Sequence, residues 1–193
     1  HRVDRRQRQM CIRDRSRAAL TEQTGLNRST IADLVAELVR RGLVDERVPD
    51  VAGRVGRPSP VVTASARIVA IAVNPEVDAI EIAAVGLDRS ILVRERLPNE
   101  TVPTPGVVAA TIAERIAAWR EGPLADARIA AIGVAVPGLV RASDGVVRNA
   151  PHLGWTDVPL ADLVSAATSS AAFVDNDAVS YTHLRAHETR GNL

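Results

Sequence analysis

Lysine is missing from this 193-residue sequence: all 24 basic side chains are arginine. Cysteine is nearly missing as well. The single Cys11 cannot close an internal disulfide, and no Cys/His cluster has metal-ligand spacing, so neither a disulfide framework nor a metal site is expected. Aromatic residues make up only 2%, so the 46% hydrophobic content must build its core from aliphatic side chains. No apolar run approaches the roughly 18 residues a membrane span requires, and the Arg-rich start lacks the apolar stretch of a secretory signal. A soluble, cytoplasmic protein with no membrane partner follows as the expectation. No residue is assigned a catalytic role, and no cofactor is expected.

What the sequence does contain is unevenly distributed. Residues 1–67 carry 14 arginines and eight acidic residues, whereas residues 68–193 carry ten and fifteen. A basic front suits contact with a polyanion, although it is also compatible with a merely solvated face. Both ends differ in composition from the rest. Met10, Cys11, Tyr181, His183 and His187 all lie there, and residues 16–178 contain no Met, Cys or Tyr. The stretches RQMCIRDR (8–15) and VSYTHLRAHETRGNL (179–193) resemble translated sequencing-adapter sequence, so residues 1–15 and 179–193 are set aside from the fold reading.

Between them, two textures follow one another. Ser16 stands where a helix N-cap should, a short helix over 17–24 is ended by Gly25, and Asn27 offers a second N-cap. Ile31, Leu34, Val35, Leu38 and Val39 then fall at helical spacing, predicting one apolar stripe on a helix over about 28–41. Residues 43–48 and 61–63 read as strands around a Pro/Gly-rich loop, which gives the order of a winged helix-turn-helix over 16–64. From 65 to 178 the pattern becomes α/β. Strands are expected at 68–73, 79–85 and 91–97, a helix at 106–120, a strand at 129–136, a helix at 159–167 and a strand at 172–174.

A DNA-reading helix buries one face and presents short polar or basic side chains at its N-terminal end. Arg28, Ser29 and Thr30 meet that need, though Ser and Thr there also serve as ordinary capping residues. In the loop, Gly53-Arg54-Val55-Gly56-Arg57-Pro58 sets two guanidinium groups among glycines, a composition suited to a narrow minor groove.

The stretch SRAALTEQTGLNRSTIADLVAELVRRGLVDE followed by GRVGRP resembles the DNA-binding region of the ROK family of bacterial regulators, which includes xylose and N-acetylglucosamine repressors. Thr21 and Gln23 depart from it, standing where the family has a small apolar residue and Leu. The resemblance implies a first helix before Ser16, where this chain carries the adapter-like segment. It continues through Ala131–Val140 (AIGVAVPGLV), Asn149–Trp155 (NAPHLGW) and Val174–Ala178 (VDNDA). From these the resemblance implies the first part of an actin-like (ribonuclease H-like) sugar-kinase and repressor domain. By itself, Gly138 reads either as a simple strand-end turn glycine or as one that allows close backbone approach to a ligand, and a carboxylate beside an amide can grip vicinal hydroxyls. The resemblance assigns sugar contact to Asn176 and Asp177, and His152 stands where the family has Asn.

Two functions are weighed. The first is a DNA-binding regulator, a repressor of sugar-metabolism genes, with a duplex DNA operator and a sugar or sugar-phosphate effector as partners and a homo-oligomeric state at full length. The second is a ROK-type sugar kinase. In that superfamily the first strand resembles an Asp followed by a glycine turn that cradles phosphates and Mg²⁺. Here the site reads Ile71-Ala72-Val73-Asn74-Pro75: Ala72 cannot ligate a metal and Pro75 has no N–H for a phosphate. The first reading is therefore preferred.

Overall fold

The computed structural model describes residues 15–47 and 60–177, divided between two compact units. In the first unit, β1 (Arg15–Ser16) leads into α1 (Arg17–Thr24) and α2 (Arg28–Arg40), followed by β2 (Val44–Arg47) and β3 (Val61–Ala64). Local side-chain chemistry sets both helix starts. Ser16 Oγ accepts from Ala19 N at 3.1 Å, and Asn27 Oδ1 accepts from Thr30 N at 2.8 Å. Gly25 closes α1 with φ +69°, a left-handed conformation that side chains other than glycine adopt at a cost. The expected strand at 43–48 is observed as Val44–Arg47. It pairs antiparallel with β3, which also pairs with β1 in the order β1-β3-β2. Arg15, set aside in the sequence reading, is thus extended backbone opposite Val62.

The apolar stripe of α2 is narrower than its spacing predicts. Ile31 and Val35 are buried with Val62, supported by Leu20 and Val44, but Leu34 and Val39 remain 48% and 41% exposed. Among the described residues, the elements packed on α2 are too small to cover all five positions. The unit therefore depends heavily on its caps. Asn27→Ala is expected to cost about 1 kcal/mol, whereas Asn27→Ser, which keeps an acceptor, is expected to cost little. Far-UV circular dichroism through thermal unfolding checks this, and identical curves for wild type and Asn27→Ala would contradict it.

The second unit is mixed α/β. Strands β4 (Ile68–Pro75), β5 (Ala79–Gly86) and β6 (Ile91–Pro98) form the expected antiparallel meander. Helix α3 (Pro105–Arg120) and β7 (Arg128–Val136) follow. After an excursion come α4 (Leu160–Thr168) and β11 (Ala172–Asn176), giving a sheet in the order β11-β7-β4-β5-β6. Alternate residues of the strands bury one face: Val69, Ile71 and Val73 of β4, Ile80 and Ile82 of β5, and Ile132, Val134 and Val136 of β7. Against it pack Val108, Ile112, Ile116 and Trp119 of α3 and Leu160 and Val164 of α4. Trp119 and Trp155 are the aromatic members of this otherwise aliphatic core, and the Trp119 indole N–H donates to Glu95 at 2.5 Å.

The excursion was not foreseen. Residues expected only as a Pro-Gly turn and connecting segments form a second sheet of β8 (Leu139–Arg141), β9 (Val146–Ala150) and β10 (Trp155–Pro159), all antiparallel. A 3₁₀ turn, Pro151–Leu153, lies between β9 and β10. Pro159 consequently ends a strand, and α4 begins at Leu160. The last strand runs two residues further than expected, to Asn176.

Candidate functional site

Strands β7 and β11 run parallel, with Val136 opposite Asn176 as their last pair, so both chains leave the sheet at the same edge. Crevices outside the carboxyl ends of parallel strands are where α/β sheets bind ligands, because there the loops diverge and leave polar groups unburied. Gly138 leaves this edge from β7 and Asp177 from β11. Between them, Asn176 Nδ2 donates to the Gly138 carbonyl oxygen. His152 is exposed in the 3₁₀ turn that follows Ala150.

Gly138 itself differs from its expected role. A Cβ there would lie 2.5 Å from the Asn149 carbonyl oxygen and 2.8 Å from the Ala150 Cβ, so the close approach it permits is to β9. Its half-buried backbone joins the turn after β7 to the strand that carries the chain toward His152. The far end of that segment is fixed by Trp155, a buried residue whose indole N–H donates to the Pro103 carbonyl at 3.0 Å. In the turn between β8 and β9, Arg141 bonds both oxygens of Asp144 at 2.9 Å and holds that carboxyl below its ordinary range. Any stability from this exposed pair is present above the usual carboxylate pKa and fades as pH falls through the depressed value.

At the end of β4, a cavity of about 280 Å³ is lined by Ala72, Asn74, Glu81, Ala83, Arg94 and Ala135 among others. Its charges are already matched, since Arg94 meets Glu81 at 2.7 Å. A larger cavity of about 450 Å³, missed in the sequence, lies between the end of β6 and the start of α3, beside the Pro103 segment. Among the described residues, no group of three or more His, Cys, Asp or Glu is placed to hold a metal, and no helix is long and apolar enough to cross a membrane.

In the first unit, Arg28 and Ser29 are exposed and Thr30 is half-buried, all in the first turn of α2. Ser29 Oγ donates to Asn27 Oδ1 at 2.7 Å, so its hydroxyl takes part in the cap. Arg54 and Arg57 lie outside the described residues.

The chain is similar to the xylose repressor of Caldicellulosiruptor bescii, at 25% identity over 84% of this chain and 41% of the relative. It is also similar to the xylose repressor of Bacillus subtilis (strain 168), at 26% identity over 84% of this chain and 42% of the relative. It thus spans about two fifths of the length of the curated relatives it matches. Among solved structures, a ROK family transcriptional regulator homologous to the E. coli MLC protein shares its fold, with a TM-score of 0.61 at 23% identity over 84% of this chain and 41% of that chain. Residues 70–187, more than half of the sequence, match the ROK family model, and the chain belongs to the ROK family.

Proposed function

We propose that this chain belongs to a DNA-binding transcriptional regulator, a repressor of sugar-metabolism genes whose affinity for its operator responds to a bound sugar or sugar phosphate. One observation carries the reading: similarity to xylose repressors extends over 84% of the chain, well beyond the 70–187 region that defines the family. Residues 16–64 act as a winged helix-turn-helix in which α2 reads the major groove. Arg28, Ser29 and Thr30 meet bases and phosphates at its N-terminus, and Arg54 and Arg57 enter the minor groove. Residues 65–178 contribute the first part of an actin-like sugar-binding domain, with Gly138, His152, Asn176 and Asp177 around the ligand. At full length the regulator works as a homo-oligomer in the cytoplasm.

The same geometry argues against phosphoryl transfer. Ala72 and Pro75 supply neither a metal ligand nor an N–H at the end of β4, and the neighbouring Glu81 is engaged by Arg94. What remains is a site that binds without transforming.

The test is operator binding by a protein of the relatives' full length that contains this region, using duplex DNA from upstream of its own gene. Replacing Arg54 and Arg57 together with Ala is expected to weaken binding and to lower the salt slope by roughly 1 per lost phosphate contact. Unchanged affinity and slope would remove the wing from the mechanism.

A further inference from the structure

We propose that the cavity of about 450 Å³ between the end of β6 and the start of α3 is a further ligand site, one that takes a small organic ammonium ion with an apolar body. Its floor follows from the path of the chain. Ile80 pairs with Leu97 and Ala79 with Pro98 where β5 begins and β6 ends, and residues 99–104 then cross to α3, which starts at Pro105. Ile80 and Leu97 line the cavity together with Val102 and Val107, which stand 44% and 50% exposed. A concave space of this size suits a small ligand, and covering the two valines contributes to its binding.

The polar lining decides which kind of ligand fits, because its strong donors are already engaged. Arg115 meets Glu114 at 2.6 Å and, outside the lining, Glu95 at 3.6 Å. The Asn99 side-chain amide donates to the Glu76 and Val77 carbonyls at 3.0 and 3.4 Å, and the Val107 N–H donates to Thr104 Oγ1 at 3.3 Å. Pro98 and Pro103 have no N–H to give. Acceptors are in surplus. Two carboxylates, Glu100 and Glu114, face the single guanidinium of Arg115, which Glu95 shares. The positive end of α3 would by itself draw an anion, but the Thr104 cap and Pro105 leave it few free N–H groups. A ligand that brings donors and positive charge therefore matches this lining, and a carboxylate or phosphate does not.

Occupancy is felt beyond the cavity as well. Pro103, a lining residue, accepts from the Trp155 indole N–H at 3.0 Å, and Trp155 opens β10 just after the turn that carries His152.

The test uses three probes that share one apolar body: phenethylammonium, phenethyl alcohol and hydrocinnamate, each titrated into the isotope-labelled 193-residue chain and followed by amide NMR. Saturable shifts are expected at residues 97–115 and at the Trp155 indole N–H. The ammonium probe is expected to bind about tenfold tighter than the carboxylate, the scale of attraction for one exposed charge added to repulsion of the other. Replacing Glu100 and Glu114 with Gln is expected to abolish that preference and to leave the alcohol's affinity as it was. Should the double variant fail to fold, Glu100→Gln alone is expected to reduce the preference. Val107→Trp, which fills the cavity from an exposed position, is expected to block all three probes. No saturable shift with the ammonium probe up to about 10 mM, equal affinities for the three probes, or a preference that survives the carboxylate substitutions would overturn the proposal.

Discussion

Gly138→Ala is expected to destabilise the second unit by about 3 kcal/mol, whereas Gly133→Ala is expected to be nearly neutral. Both glycines lie in or beside β7, so composition and secondary structure do not separate them. Their surroundings do. At Gly133 a new Cβ meets nothing nearer than the Ile71 carbonyl oxygen at 4.0 Å, an ordinary contact. At Gly138 it meets the Asn149 carbonyl oxygen at 2.5 Å and the Ala150 Cα at 2.9 Å, which are backbone atoms that no rotamer change can remove. Strand β9 must shift, and with it the pairing to β8 and β10. For a chain of this size about 3 kcal/mol corresponds to a fall of roughly 6–12 °C in thermal midpoint. Calorimetric unfolding of the two variants side by side checks the prediction, and equal midpoints would contradict it.

Asp177→Ala is expected to weaken sugar binding about a hundredfold in a full-length protein, the effect of losing charge-assisted hydrogen bonds to a ligand hydroxyl. Asp177 is exposed at the edge where β7 and β11 end together, so removing its carboxylate leaves the buried core untouched. The expected outcome is a loss of affinity far larger than any loss of stability. That combination separates it from Gly138→Ala, whose main effect is on stability.

Legibility in the sequence followed the range of the interactions. The caps at Ser16 and Asn27 and the Gly25 stop were readable because each acts within three or four residues. The β4-β5-β6 meander was readable from alternation and short turns. Strands β8 to β10 were not. Each is three to five residues long and set among turn-forming residues such as Pro137, Gly145 and Gly154, and the start of β10 is tied to a distant segment by the Trp155 bond to Pro103. The α2 stripe shows the opposite failure, in which Leu34 and Val39 keep helical spacing yet stay 48% and 41% exposed. At the candidate site, Asn176 and Asp177 stood out only through family resemblance. The bond from Asn176 to Gly138 spans two strands and leaves no local pattern to read.

The central claim is that sugar occupancy and operator affinity are linked through differential binding of the sugar to the two states of the regulator. Its most direct test is operator binding by the full-length protein, measured with and without a saturating sugar that calorimetry shows to bind it, in wild type and in Asp177→Ala. The account predicts a change of about fivefold or more in wild-type operator affinity on adding sugar and no change in the variant. Equal wild-type affinities with calorimetrically verified sugar bound would contradict it.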